Sequence, residues 1–206
     1  MMPALALVAA YLIGAIPFGF LLVKWKTGGD IRASGSGNIG ATNVLRTTGW
    51  KTGAATLALD IAKGYLAVWL AGYLTGANPM WMAAAALAVM AGHAFPVFLG
   101  GKGGKAVASF LGAWLCLTPL PLGATLVVFI AMVSWTRHIS VGSIVAAGAF
   151  PLAVWLISHP PMPILLAAIV AGAFVVYRHR ENIERLRAGN EHVFSIGLGK
   201  AARGGR

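Results

Sequence analysis

Pro79-Met80-Trp81-Met82-Ala83-Ala84-Ala85-Ala86-Leu87-Ala88-Val89-Met90-Ala91-Gly92-His93-Ala94-Phe95-Pro96-Val97-Phe98-Leu99-Gly100-Gly101-Lys102-Gly103-Gly104-Lys105 is an apolar run that ends in a glycine–lysine loop. The run from Pro79 to Leu99 contains one titratable side chain, His93. It matches the roughly 20 residues that cross a bilayer. The loop has the opposite character. Its glycines leave backbone N–H groups uncovered, and Lys102 and Lys105 add positive charge, a combination that suits phosphate. Enforcing membrane topology is the competing role for the two lysines.

Composition extends the membrane reading to the whole chain. Of 206 residues, 58% are hydrophobic and 10% charged, far below the charge content of a soluble domain. Further apolar segments cover about 3–23, 53–75, 106–118, 120–135, 141–158 and 161–177. With 79–99 they predict an all-α integral membrane protein of seven transmembrane helices, with a turn at Pro119 and Pro121. The N-terminal segment lacks a basic leader and a small-residue cleavage site, and reads as a retained span. Lys24, Lys26, Arg32, Arg46 and Lys51 follow the first segment, and the connection at 75–79 has no charge. Lys102 and Lys105 come next, 118–121 is bare, Arg137 follows, 158–163 has no Lys or Arg, and the stretch from Arg178 is basic. By the positive-inside rule this alternation puts the N-terminus outside and the C-terminus in the cytoplasm.

The balance of 16 Lys+Arg against 5 Asp+Glu points to an anionic substrate or anionic lipid. Nucleic acid is excluded as a partner, because the basic residues lie between spans rather than on a soluble face. Cys116 is the single cysteine and the histidines are scattered, so no metal, disulfide or cofactor is expected. The loop is also no nucleotide-binding P-loop, since Ala106 stands where a metal-binding Ser or Thr is required.

Two other polar clusters fall on the charged side. Ser34-Gly35-Ser36-Gly37-Asn38-Ile39-Gly40-Ala41-Thr42-Asn43-Val44-Leu45-Arg46 offers hydroxyls, amides and an arginine suited to phosphate. A flexible linker is its bland alternative. Arg178-His179-Arg180-Glu181-Asn182, running on to Glu191, continues the last span as a helix, with His179 and Asn182 on one face. A lipid-binding basic helix would explain its arginines but not its His, Asn and Glu. His93 reads equally as a packed histidine or a substrate contact. Asp60 and Lys63, one turn apart, read equally as a structural ion pair or as site residues. Ser143 reads as a cap for the sixth helix or, less readily, as a ligand contact. These residues suit a transfer in which both substrates carry phosphate and one carries a lipid tail, with the protein positioning two anions.

Taken in order, the three clusters resemble the motifs of the bacterial acyl-phosphate:glycerol-3-phosphate acyltransferase family. The first matches in Ser-Gly-Asn-Ile-Gly-Ala-Thr-Asn-Val-Leu-Arg, the second in Gly-His-Ala-Phe-Pro through Gly-Gly-Lys-Gly-Gly-Lys, and the third in Arg-Glu-Asn-Ile and Arg-Leu-Arg-Ala-Gly-Asn-Glu. The likeness covers about residues 1–194 as one membrane-embedded domain and leaves 195–206 as a basic tail without a role. It implies transfer of a fatty acyl group from acyl phosphate to the sn-1 hydroxyl of glycerol 3-phosphate. The products are lysophosphatidic acid and inorganic phosphate, in the first acylation of phospholipid synthesis. No cofactor, coenzyme A or acyl carrier protein is implied. The implied setting is the bacterial inner membrane with a cytoplasmic active site, supplied by a soluble enzyme that makes acyl phosphate.

Joined with the residue chemistry, the resemblance assigns Ser36, Arg46, His179 and Asn182 to catalysis. Gly100, Gly101, Lys102, Gly103, Gly104, Lys105, Asn38, Thr42, Asn43, Ser143, Glu181 and Glu191 are assigned to substrate binding. His179 and a substrate phosphate oxygen both remain candidates for the general base. A transporter of a phosphorylated solute is the alternative. It would place its site near the midplane rather than at one face.

Overall fold

The structure is a computed structural model that describes residues 1–194; the basic tail 195–206 lies outside the described residues. Among the described residues it is all-helical: α1 (Met2–Ala15), α2 (Phe18–Thr27), α3 (Ala41–Thr48), α4 (Trp50–Thr75), α5 (Pro79–Ala94), α6 (Val107–Leu117), α7 (Pro119–Thr136), α8 (Ile139–Ser158), α9 (Met162–Arg178) and α10 (Arg180–Arg187). Two short 3-10 turns at Ile31–Ala33 and Val97–Leu99 complete it. Five helical stretches are long and apolar enough to cross a membrane, and α9 with α10, bent by 50°, makes a sixth. The apolar segment at 106–118 forms α6, which at 11 residues is shorter than a full span. Large apolar side chains such as Leu5, Val127, Ile130 and Leu166 are exposed on the helix faces that a bilayer would cover.

Local chemistry sets the boundaries. Asn78 caps α5, its Oδ1 accepting from the N–H of Met80 at 3.0 Å, with Pro79 in the first turn. Gly28 and Gly76 end α2 and α4 in the left-handed conformation. The predicted turn near Pro119 falls at Thr118, and Pro119 opens α7. The first apolar segment forms one candidate span, Met2–Thr27, as expected, but its helix is interrupted between α1 and α2. Pro17 has no N–H to continue α1, and Ile16 before it is extended. Part of the first polar cluster winds into α3 between Gly40 and Gly49, which a flexible linker would not do.

Two helix pairs pack at backbone distance. A Cβ at Gly14 of α1 would run into the Val89 carbonyl of α5, and one at Gly92 of α5 into the Tyr11 carbonyl of α1. Gly64 of α4 and Gly112 of α6 have the same relation to Ser109 and Ile61. Without a hydrophobic drive between helices in lipid, such close contact is the main source of helix association. A second core joins α6 to α8 and α9. Trp114 and Phe110 each pack edge-on to Phe150, both pairs at 4.8 Å between ring centroids. Each such pair contributes about 0.5–1.5 kcal/mol beyond its buried area.

Asp60 and Lys63 face inward. Lys63 Nζ lies 2.8 Å from Asp60 Oδ1 and donates to the Ile16 carbonyl at 2.8 Å. The Ile16 carbonyl, which also accepts from the Phe18 N–H at 3.2 Å across the break, thus receives a second donor from α4. The Lys63 hydrogen bond ties α4 to the first span, and Asp60, one turn away in α4, balances the buried ammonium.

Candidate active site

The connections 28–49 and 95–106, the start of α8 and the segment after α9 all contribute to one cavity of about 530 Å³. Its lining brings together Ser36, Asn38, Thr42, Asn43, Arg46, Lys105, Ser143, His179, Asn182 and Glu191, which the sequence scatters over more than 150 positions. The opposite wall is apolar, with Leu57 from α4, Phe110 and Leu111 from α6, Leu122, Leu126 and Phe129 from α7 and Ala147 from α8. Leu57 of α4 and Leu126 of α7 in this wall are themselves exposed.

In the first cluster the roles separate. Asn43 is buried, and its side chain is fully used: Oδ1 accepts from the Ser36 N–H at 2.9 Å, and Nδ2 donates to the carbonyls of Ser34 at 3.0 Å and Asn38 at 2.8 Å. Asn38 Oδ1 accepts from the Gly40 N–H at 2.8 Å. These two residues shape the loop. Ser36, Thr42 and Arg46 are left with side chains free of intrachain hydrogen bonds among the described residues, facing the cavity.

The glycine–lysine loop differs from its sequence reading. Gly100, Gly101, Lys102, Gly103 and Gly104 do not line the cavity, and the N–H groups are occupied. Gly101 donates to Pro96 at 2.9 Å, Gly103 to Ala94 at 3.2 Å and Gly104 to His93 at 3.1 Å. The glycines serve the fold of the loop instead. Gly100 and Gly101 have φ of 62° and 78°, in the left-handed region, and a Cβ at Gly104 would strike the His93 imidazole. The free N–H groups come immediately after. Those of Lys105 through Ser109, at the N-terminus of α6, have no partner among the described residues. Lys105, Ala106, Val107 and Ala108 all line the cavity, so this helix start and the Lys105 side chain give that end of it a positive character. Burial lowers the Lys105 amine to about 8, helped by Arg185 and Arg178 and opposed by Glu191 and Glu181.

In the third cluster the hydrogen bonds fix which atoms face a ligand. His179 Nδ1 lies 2.7 Å from the Val175 carbonyl, which can only accept, so Nδ1 carries the proton. The other nitrogen, Nε2, is left as an acceptor. Burial, with Lys105 and Arg178 nearby, lowers His179 to about 4 against the raising effect of the Val175 bond, so the ring is neutral at pH 7. Asn182 Nδ2 donates to Glu191 Oε1 at 2.6 Å, which turns Oδ1 away as a buried acceptor without a partner. Arg185 Nε donates to Glu191 Oε2 at 2.8 Å. Burial raises the Glu191 carboxyl, but the bonds from Asn182 and Arg185 outweigh this and hold it below its usual value. Glu181 is exposed and lies off the cavity. Glu191, His192 and Phe194 lie in a strap that closes one side, tied down by the Phe194 N–H donating to the Arg137 carbonyl at 2.7 Å.

Ser143 faces the cavity one turn inside α8, which begins at Ile139, so it does not cap that helix; its Oγ donates back to Ile139 at 3.0 Å. Asp60 and His93 both reach the lining, with His93 Nδ1 3.8 Å from Asp60 Oδ1. Ser140, Arg185, His192 and Phe194 are lining residues that the sequence reading did not single out. Only Arg185 carried a signal, as an arginine within reach of the glutamates of its own helix.

A family model described as glycerol-3-phosphate acyltransferase matches residues 4–189. A glycerol-3-phosphate acyltransferase of Geobacter sulfurreducens is 49% identical over 185 residues, covering 90% of this chain and 94% of that protein. One of Geobacter metallireducens is 50% identical over 190 residues, covering 92% and 96%. Among solved structures, the glycerol 3-phosphate form of PlsY (YgiH), an integral membrane glycerol 3-phosphate acyltransferase, superposes with a TM-score of 0.89 at 39% identity, covering 95% of this chain and 96% of that one. A lysophosphatidic acid form of PlsY gives 0.87 at 38%. With the family model matched almost end to end and relatives near half identical, the chain belongs to the glycerol-3-phosphate acyltransferase family.

Proposed function

We propose that this membrane acyltransferase uses acyl phosphate as donor and acylates the sn-1 hydroxyl of glycerol 3-phosphate on the cytoplasmic face of the bacterial inner membrane. The observation that carries the reading is the composition of the cavity. One end has the free N–H groups of α6 with Lys105, another has two acceptors at His179 Nε2 and Asn182 Oδ1, and the remaining wall is apolar. A donor phosphate suits the first and a glycerol hydroxyl the second. An acyl chain suits the third. Arg46 and Ser36, on the opposite loop, suit the phosphate of glycerol 3-phosphate. The two PlsY forms, with glycerol 3-phosphate and with lysophosphatidic acid, are a substrate and a product of this transfer.

In the reaction the glycerol oxygen forms a bond to the acyl carbon, and the bond from that carbon to the phosphate oxygen breaks. The hydroxyl proton must leave. A neutral imidazole held at about 4 is a poor base at pH 7, whereas a phosphate group with a pKa near 6 is a better one. The proton therefore passes to a phosphate oxygen, and His179 Nε2 with Asn182 Oδ1 orients glycerol 3-phosphate by accepting from its other hydroxyl. Because the departing group is a phosphate, no coenzyme and no strong general acid are needed. A soluble enzyme producing acyl phosphate is the expected supplier.

The membrane arrangement follows the charges. Seven crossings, with α6 as a short pass beside α7, put every basic connection on the site's side, the N-terminus outside and the C-terminus in the cytoplasm. The test is purified protein in nanodiscs with palmitoyl phosphate and radiolabelled glycerol 3-phosphate. The expected result is labelled 1-acyl product with one inorganic phosphate per turnover, and none with palmitoyl-coenzyme A. Folded protein that prefers the thioester would overturn the donor assignment.

A further inference from the structure

Arg178, the last residue of α9, reaches across to the glycine–lysine loop. Its Nε donates to the Gly104 carbonyl at 3.2 Å, and its Nη2 to the carbonyls of Gly104 at 2.9 Å and Gly103 at 3.3 Å. The guanidinium also lies over the Phe95 ring, 5.0 Å from its centroid, which sets its plane. On the other side of the loop the Gly104 N–H is held by the His93 carbonyl. The peptide joining Gly103 and Gly104 is thus gripped at both ends. The next peptide is gripped at its carbonyl end alone. In a trans peptide the N–H points opposite to the C=O, so fixing the Gly104 carbonyl on Arg178 aims the Lys105 N–H away from it. That N–H is the first of the unpartnered donors at the start of α6.

We propose that Arg178 is a positioning residue, which sets the orientation of the peptide between Gly104 and Lys105 and so pre-forms the donor-phosphate end of the cavity. This rests on the acyl-phosphate reading of that end. Arg178 is also joined directly to His179, so one residue ties the backbone that meets one substrate to the side chain that meets the other. Shape matters here as well as charge. Two carbonyls are held at once by a planar fork, which a lysine ammonium on a flexible stem does not reproduce. The glycines allow the loop to approach His93, and the arginine then selects one of the conformations that glycine permits.

The experiment compares wild type, Arg178→Lys and Arg178→Ala in nanodiscs, each titrated with palmitoyl phosphate and separately with glycerol 3-phosphate. Losing charge-assisted hydrogen bonds of this kind is expected to raise the KM for palmitoyl phosphate about tenfold or more in both variants. The KM for glycerol 3-phosphate should stay within about twofold, and added methylguanidinium should restore part of the activity of Arg178→Ala. Arg178→Lys with wild-type constants would overturn the proposal, since charge alone would then suffice. An equal rise in both KM values, folded Arg178→Ala that methylguanidinium does not rescue, or an Arg178→Lys protein that fails to fold would overturn it too, by making the arginine a general strut. A wild-type enzyme that does not use palmitoyl phosphate would instead defeat the donor assignment, so the two failures are distinct.

Discussion

Replacing Lys105 by arginine should remove the alkaline limb of the pH profile for the donor. Burial lowers the Lys105 amine to about 8, so the free enzyme loses this charge within an accessible range of pH. If the ammonium is needed to hold the donor phosphate, kcat/KM for acyl phosphate follows its protonated fraction. With a pKa of about 8 that fraction is about one half at pH 8 and about one tenth at pH 9. A lysine at the usual value near 10.4 would still be about 96% charged at pH 9. The sign is clear: rising pH removes the positive charge, so donor capture weakens as pH increases. Arginine remains charged throughout, so the variant profile should be flat from pH 7.5 to 9.5, even if its absolute rate is lower. Initial rates of phosphate release with palmitoyl phosphate and glycerol 3-phosphate both well below their KM values measure the quantity for the free enzyme. Both substrates are fully ionised across this range, so they add no inflection. Parallel falls in wild type and Lys105→Arg would refute the reasoning, because the titrating group would then lie elsewhere.

Two further tests address the scaffold. Asp60→Asn leaves the Lys63 ammonium buried with the Ile16 carbonyl as its remaining close partner, a loss expected to destabilise by about 3–5 kcal/mol. Thermal unfolding in detergent should show it, and Asp60→Leu combined with Lys63→Met should recover most of the loss; an unchanged midpoint in the single variant would show that the pair does not hold the helices. Gly104→Ala forces a methyl into the His93 imidazole, and Gly103→Ala forces one into the His93 carbonyl and Pro96, so both should lower the unfolding temperature together with activity. A stable Gly103→Ala enzyme altered only in its KM for acyl phosphate would return the glycines to direct phosphate binding.

The membrane character and the convergence of three polar clusters were legible because each depends on local signals: apolar run length, alternating charge and residue type. The break at Ile16 and Pro17 was less so, since a proline in an apolar segment can kink, begin or end a helix, and the Lys63 that bonds the Ile16 carbonyl is 47 positions away. α3 was hard to see because it follows directly on a run of Ser, Gly and Asn and itself holds three Thr and an Asn, all weak helix formers. The glycine–lysine loop shows the limit most plainly. Four glycines announce that something approaches closely, but not whether it is a phosphate or the end of α5. Asn43 is a similar case, because an amide has the same letter whether it binds a ligand or stitches its own loop. His179 and Asn182 could be placed on one face from their spacing, yet their free acceptors follow only from the Val175 carbonyl and Glu191, which take up the opposite atoms. Arg178 passed as one of several arginines after a span, because its partners are backbone carbonyls, which no side-chain pattern reports.

The distribution of the site along the chain bears on how the protein is made. Its walls run from Ser36, after the first span, to Phe194 beyond the last. No partial product of synthesis can therefore close the cavity, and the strap of Glu191, His192 and Phe194 is laid over it only after α9 and α10 have taken up their positions. If any hairpin were threaded the wrong way, one of the contributing loops would end up on the opposite side of the bilayer. Turnover is therefore a readout of membrane insertion itself: a population of molecules is active in proportion to the share that has threaded every helix correctly.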